Sequence, residues 1–89
     1  MVPAVSLFLR LALTISETIL LLATQRGKDK TICPSEVARA LFPADWRPHM
    51  EAVRTTAFAL RDKGQVRILQ KGAEVAGNEV IGPIRIQIR

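Results

Sequence analysis

The sequence is poor in the residues that most often build enzyme and metal sites. It contains one cysteine, one histidine and no tyrosine. A lone cysteine cannot form an internal disulfide, and Cys33 with His49 supplies too few ligands for a zinc site within one chain. No glycine-rich phosphate loop with nucleotide-binding spacing occurs. We therefore expect a protein that binds rather than catalyses, without a cofactor or a metal, in a reducing compartment.

The chain also lacks a long uninterrupted hydrophobic run. Arg10 and Glu17 break the apolar stretch at its beginning, and no remaining segment approaches the roughly 20 apolar residues that cross a bilayer. Only Met1 and Val2 precede Pro3, so the basic region that opens a secretory signal is missing. These features predict a cytoplasmic protein with no membrane association.

The composition favours one small, folded, basic domain. Hydrophobic residues make up 48% of the 89 residues, which argues against disorder, and a chain this short closes a single core. Thirteen Lys and Arg against eight Asp and Glu give a net charge of +5. Such a charge attracts polyanions, although by itself it does not distinguish nucleic acid from an acidic protein.

Residues 1–13 are interpreted as an apolar extension that precedes the domain. Apolar residues occupy every odd position from Val5 to Ile15, as in a half-buried strand. The same residues also fit the spacing of an amphipathic helix, and leucine is a good helix former. The pattern leaves strand and helix open.

Two helices are predicted in the first half of the domain. Thr14 and Glu17 have the spacing of a capping box, so the first helix begins after Thr14 and ends near Gln25, before Gly27. The second helix begins at Pro34, because proline is favoured at the first helical position. The β-prone residues 31–33 between these helices predict a short strand.

The third helix has the clearest amphipathic pattern. Asp45 is the predicted N-cap, with Pro48 tolerated in the first turn, and the helix ends near Gly64. One side carries mainly apolar residues: Trp46, His49, Met50, Val53, Ala57 and Leu60. The other side combines charged residues with one phenylalanine: Arg47, Glu51, Arg54, Phe58, Arg61 and Asp62.

After Gly64 the hydrophobic period changes from helical to alternating. Val66 and Ile68 flank Arg67, and residues 84–89 alternate in the same way, which predicts two strands joined by a long loop over residues 71–82. The order of elements predicts an α+β winged helix-turn-helix domain over residues 14–89. Its three-helix core carries a C-terminal β-hairpin wing and a short strand between helices one and two.

Four runs of sequence resemble a family of small bacterial winged-helix domains known only as a domain of unknown function. They are residues 30–41 (KTICPSEVARAL), residues 45–48 (DWRP), residues 70–72 (QKG) and residues 82–85 (GPIR). The resemblance covers about residues 14–89 and implies the winged-helix fold. It implies no activity, cofactor or catalytic residue.

Arg47, Arg54 and Arg61 are the candidate nucleic-acid contacts. Their spacing of seven places them along one flank of the third helix, which enters the major groove in many helix-turn-helix proteins. Lys71, in the wing, is an auxiliary phosphate contact. The alternatives are a solvated helix face and a plain hairpin, since acidic residues lie beside both groups of cations. The predicted partner is double-stranded DNA.

Phe58 supports a different hypothesis, because the helical wheel places it on the outward, charged side. An exposed phenylalanine is ordinary at a protein interface, or where an extension such as residues 1–13 covers it. The rival function is therefore a protein-interaction or homodimerisation module that uses the extension and Phe58.

Overall fold

A computed structural model of the chain describes residues 14–89. In this range the elements are helix α1 (Ile15–Arg26), helix α2 (Pro34–Leu41), a 3₁₀ turn (Arg47–His49), helix α3 (Met50–Asp62) and strands β1 (Val66–Gln70), β2 (Ala73–Glu74) and β3 (Arg85–Ile88). The α+β class is confirmed, and the three helices with an antiparallel sheet are consistent with a winged-helix-like arrangement. The extension predicted for residues 1–13 lies outside the described residues.

The starts of the first two helices follow their local sequence signals. Thr14 Oγ1 accepts the Glu17 N–H at 3.1 Å, and the Glu17 carboxylate accepts the Thr14 N–H at 2.8 Å. This reciprocal pair satisfies two backbone donors that have no partner within a helix. Pro34 is the first residue of α2, and the Glu36 carboxylate accepts the Cys33 N–H at 2.8 Å. Both predicted helix starts are confirmed.

The sheet has the strand order β2-β1-β3, with antiparallel pairing throughout. Val66 lies opposite Ile88, and Ile68 lies opposite Ile86, which confirms the two alternating strands. Ile32 forms a single bridge to Ile86 at the other edge of β3, with both N–H···O distances at 2.8 Å. The strand predicted at residues 31–33 is this one bridge, because Pro34 begins α2 immediately afterwards.

The core lies between the helices and one face of the sheet. α1 packs against α2, α3 and β3, while α3 also packs against β1. Alternation brings Val66, Ile68 and Ile86 to the buried face. The other fully buried large side chains come from the three helices, from the bridge at Ile32 and from the residue before β3: Ile19, Ile32, Val37, Val53 and Ile84.

The third helix begins differently from the prediction. Asp45 is not its N-cap: Trp46 precedes a 3₁₀ turn, and the α-helix starts at Met50, with no side-chain cap at either position. Pro48 has no N–H to donate, so the first hydrogen bond of the segment comes from the His49 N–H, which reaches the Trp46 carbonyl oxygen at 3.0 Å and so forms a 3₁₀ turn. The end of the helix is as predicted, with Gly64 at a φ of 78° just after it.

The wing also differs from the prediction of one long loop over residues 71–82. Gln70 pairs with Ala73, so the chain reverses through Lys71 and Gly72 and then forms β2. The φ angles of these two residues are 52° and 82°, and positive values at both positions are typical of a tight hairpin turn. Residues 75–84 then lead back to β3. We call residues 75–82 the return loop.

Candidate nucleic-acid interface

Arg54, in the middle of α3, uses its guanidinium to hold the return loop. Nη1 donates to the carbonyl oxygen of Gly82 at 2.9 Å, and Nη2 donates to that of Val80 at 2.7 Å. The side chain is half-buried. A planar fork of donors suits two neighbouring carbonyls, whereas an ammonium group would offer only one compact point of contact. The structure therefore places Arg54 against the protein's own backbone.

Arg61 makes a denser set of contacts two turns further along α3. Its side chain is 9% exposed, and Nη1 donates to the carbonyl oxygens of Gly77 at 2.8 Å and Val75 at 3.3 Å. Nη2 donates to the side-chain oxygen of Asn78 and to the carboxylate of Asp62, the latter at 3.0 Å. Arg61 is therefore a structural anchor of the return loop.

Phe58 is buried, so its placement on the outward side of the helical wheel, where an extension or a partner would have to cover it, was wrong. Only 8% of the residue is exposed, and the guanidinium of Arg61 lies over its ring, 4.9 Å from the ring centroid. Val75 and Val80 of the return loop pack against the same core cluster. The helical wheel misplaced Phe58 because α3 is covered on a second flank by the return loop. Coverage by residues 1–13 lies outside the described residues.

Arg47 lies at the start of the third helix and is exposed. Its guanidinium carbon lies 4.7 Å from the ring centroid of Trp46, and that of Arg39, on α2, lies 4.3 Å from the same centroid. Cation–π contacts orient both guanidinium groups while leaving their N–H donors free. Within residues 14–89 neither arginine forms an ion pair with a carboxylate.

The turn between α2 and α3 is fixed by aromatic stacking. The rings of Phe42 and His49 lie 3.6 Å apart between centroids, with an angle of 11° between their planes. Asp45 N–H donates to the Phe42 carbonyl oxygen at 3.0 Å, and His49 N–H donates to the Trp46 carbonyl oxygen at 3.0 Å. These contacts hold the position of the Trp46 segment relative to both helices.

Lys71 is exposed at the turn between β1 and β2, and its side chain forms no ion pair within residues 14–89. Its backbone φ is 52°. A residue with a side chain rarely adopts such an angle, although the turn requires it. Lys71 remains available for a phosphate, as the sequence suggested.

The outward side of α3 carries little positive charge. The exposed residues of α3 are acidic or small: Glu51, Ala52, Thr55, Ala59 and Asp62. A depression of about 320 Å³ separates this side from the return loop. The structure therefore divides the predicted arginine stripe. Arg47 is accessible, whereas Arg54 and Arg61 face the loop.

The second arginine beside Trp46, Arg39, was not predicted as a site residue from the sequence. Arg39 is eight residues before Arg47 and on another helix, so no periodic pattern joins them. Trp46 was assigned to the apolar side of the third helix and is only half-buried. The useful signal was the neighbouring pair Trp46-Arg47 just before Pro48, where a turn can present both side chains outward.

Two further properties of residues 14–89 bear on the site. No three His, Cys, Asp or Glu side chains in this range are grouped so that they could hold a metal ion. None of its helices has the length and apolar character required to cross a membrane.

Comparison with known protein families identifies the family of the chain. A family model described as "Protein of unknown function (DUF3253)" matches residues 12–89. No curated protein matches the chain. The family match confirms the resemblance to a domain of unknown function, while the bacterial origin and the winged-helix character of that family stay predictions. The match covers most of the chain, which therefore belongs to the DUF3253 family.

Proposed function

We propose that the protein binds double-stranded DNA as a winged helix-turn-helix domain, with the start of the third helix as its main contact. One observation carries this proposal. Arg39 and Arg47 are exposed on either side of the turn, oriented by Trp46 and without a carboxylate partner among residues 14–89. Helix-turn-helix proteins direct the start of their third helix toward the duplex.

The chemistry of these two arginines suits a nucleic-acid backbone. Guanidinium groups bind phosphate oxygens through two parallel N–H bonds, and the same fork matches the edge of guanine in the major groove. The N-terminal end of a helix adds favourable electrostatics for an anion. Glu51 lies one turn further along on the exposed side, which confines the favourable contact to the helix start.

The wing contributes a second contact through Lys71. Gln70 Nε2 donates to the carbonyl oxygens of Ile81 at 2.8 Å and Pro83 at 3.2 Å, which ties the turn to the return loop. Arg54 fixes that loop to α3. The return loop therefore connects the wing to the third helix through hydrogen bonds. These bonds constrain the backbone of the turn that bears Lys71.

A titration of a fluorescently labelled duplex at low salt tests the proposal. Arg47→Gln and Arg39→Gln are each expected to weaken binding about fivefold to tenfold, because each removes a phosphate contact. Lys63→Gln is the matched control, since Lys63 is an exposed cation at the other end of α3. Equal losses in all three variants, or no duplex binding at low salt, would refute the proposal.

Lys71→Asn isolates the wing contact. Asparagine accepts a positive φ more readily than most residues, so this change removes the charge and keeps the turn. We expect a loss of about twofold to fivefold in duplex affinity, with an unchanged midpoint of denaturant unfolding. Wild-type affinity in the variant would remove Lys71 from the interface.

Protein–protein interaction is the second candidate function, and one exposed apolar residue favours it. Leu21 and Ile81 are exposed large apolar residues among residues 14–89, and Ile81, in the return loop, is the more exposed of the two at 93%, so it replaces Phe58 in this hypothesis. The contribution of residues 1–13 lies outside the described residues. Concentration-dependent dimerisation that Ile81→Ser abolishes, together with no duplex binding, would favour this candidate over DNA binding.

A further inference from the structure

A second basic site lies away from the start of α3, where the connection between α1 and α2 meets strand β3. An open depression of about 360 Å³ is lined by Arg26, Asp29, Lys30, Thr31 and Arg85. Three of its five lining residues are cationic and one is acidic. From the sequence alone, the basic cluster of Arg26, Lys28 and Lys30 at this connection is interpreted as a solvated turn rather than a site.

Arg85 extends from β3 and is held by neutral partners. Its Nε donates to Thr31 Oγ1 at 2.8 Å, and Nη2 donates to the Thr31 carbonyl oxygen at 3.3 Å. It forms no ion pair with a carboxylate within residues 14–89. A guanidinium has five N–H donors, so several remain free for a ligand. Its orientation is already fixed, which lowers the entropy lost on binding.

Arg26, at the end of α1, points to the same carbonyl group. Its Nη1 donates to the Thr31 carbonyl oxygen at 2.8 Å, while Nη2 pairs with the Glu36 carboxylate. Two guanidinium groups therefore converge on one oxygen atom. Glu36 offsets the charge of Arg26, but Arg85 and Lys30 together exceed the charge of Asp29. The depression consequently keeps a positive excess.

The charge state of Glu36 agrees with this excess of cations. Partial burial alone raises the pKa of its carboxyl group. The hydrogen bonds from Cys33 N–H and Arg26, with the charges of Arg26 and Arg85, outweigh that effect and lower the pKa below its ordinary value. Arg85 thus acts electrostatically on a carboxylate that it does not contact.

We propose that Arg26, Lys30 and Arg85 bind a phosphate group in this depression. The donors that Arg85 keeps free suit the several oxygens of a phosphate, Arg26 adds the N–H groups that Thr31 and Glu36 do not use, and Lys30 adds a mobile point charge at the rim. The Thr31 hydroxyl accepts from Arg85 and keeps its own hydrogen for a phosphate oxygen. The phosphate belongs either to a free phosphate compound or to a nucleic-acid backbone. This site goes beyond the proposed function, since it uses none of Arg39, Arg47 and Lys71.

Arg85→Gln tests the site, with Arg67→Gln as the matched control. Arg67 is exposed on β1, directly opposite Gln87, and it does not line the depression. Inorganic phosphate is titrated against chloride at equal ionic strength, and the Thr31 amide resonance is followed by NMR. We expect saturable shifts with a millimolar Kd in the wild type. Arg85→Gln should weaken binding at least fivefold, and Arg67→Gln less than twofold.

The second arm of the experiment uses duplex DNA in place of inorganic phosphate. Shifts of Thr31 that only the duplex produces, and that Arg85→Gln removes, would assign the phosphate to a nucleic-acid backbone. Shifts with inorganic phosphate alone would assign it to a free phosphate compound. Failure of both probes to give saturable shifts, or equal weakening by both variants, would overturn the site.

Two measures keep the result independent of folding and of the proposed function. Lys30→Gln changes an exposed side chain and should weaken phosphate binding about threefold. It replaces Arg85→Gln as the test variant if Arg85→Gln does not fold. An unchanged phosphate affinity in Lys30→Gln would then count against the site. Arg47→Gln should leave phosphate binding unchanged while weakening duplex binding, so the two proposals can fail separately.

Discussion

The sequence predicts Arg47 and Arg61 on one flank of the third helix, yet in the structure their surroundings have little in common. Arg47 is exposed beside Trp46 and forms no ion pair among the described residues. Arg61 is 9% exposed and donates to backbone carbonyls of the return loop. Arg54, between them, also donates to that loop. One arginine is available to a partner, and two hold the fold together.

The difference shows what helical spacing reveals and what it leaves open. A spacing of seven fixes which side of a helix carries the arginines, because it corresponds to nearly two turns. It does not reveal what covers that side. Here the return loop has unpaired carbonyl groups close to α3, and two guanidinium groups satisfy them. Arginine thus holds the return loop at Arg54 and Arg61, whereas at Arg47, where the third helix begins, it faces solvent.

Removal of the Arg61 side chain should change the stability of the protein more than any other substitution considered for this helix. Arg61→Ala should lower the free energy of unfolding by about 2–3 kcal/mol, because charged hydrogen bonds and the packing over Phe58 are lost together. Urea denaturation measures the change. Arg47→Ala is the matched control and should shift stability by less than about 0.5 kcal/mol. Similar effects in the two variants would contradict the division between anchored and accessible arginines.

A smaller effect is expected when the charge at Arg54 is kept and its geometry is changed. Arg54→Lys leaves one point charge where a planar fork reaches the carbonyl groups of both Val80 and Gly82. We expect a loss of about 1 kcal/mol in stability. The backbone order parameters of residues 79–82 should also fall. Unchanged order in those residues would show that Arg54 does not hold the loop.

A still smaller change in stability is expected when the ion pair between Arg26 and Glu36 is removed. The folded-state pKa of Glu36 lies below its ordinary value of 4.5, so its stabilising contribution is present above that pH. The contribution disappears as the pH falls through the lower, folded-state pKa. Because the pair is partly exposed and screened, Glu36→Gln should cost only about 0.5–1 kcal/mol at neutral pH.

A pH series of unfolding measurements checks this assignment. The stability difference between wild type and Glu36→Gln should be largest near neutral pH and should narrow below pH 4.5. Glu17 remains in both proteins, and its pKa is also lowered, first by the Thr14 backbone hydrogen bond and then by the Thr14 hydroxyl. Some acid sensitivity therefore persists in the variant. A stability difference that stays constant across the pH series would show that Glu36 does not contribute to the pH dependence of stability.

Local signals in the sequence were sufficient for most of the fold. The Thr14–Glu17 spacing and Pro34 gave two helix starts, and the change of period after Gly64 gave β1 and β3. These features depend on neighbouring residues, so the sequence contains them directly. The α+β class followed from their order. The single bridge at Ile32 was smaller than the predicted strand because α2 begins two residues later.

The errors arose where distant segments meet. Phe58 was placed outward because a helical wheel has no information about the return loop. The tight turn at Lys71 and Gly72 was missed because lysine is an unusual residue at a positive φ. Arg39 was missed as a neighbour of Arg47 because Trp46 joins them across a turn. Each of these contacts depends on tertiary packing, which no local period encodes.

Salt dependence of duplex binding tests the division of the arginines most directly. The logarithm of the binding constant is plotted against that of the salt concentration for wild type, Arg47→Gln and Arg54→Gln. Arg47→Gln should reduce the slope by about one, because one fewer counterion is released, and Arg54→Gln should leave the slope unchanged. A reduced slope for Arg54→Gln with no change for Arg47→Gln would contradict the division between an accessible Arg47 and an Arg54 that holds the return loop.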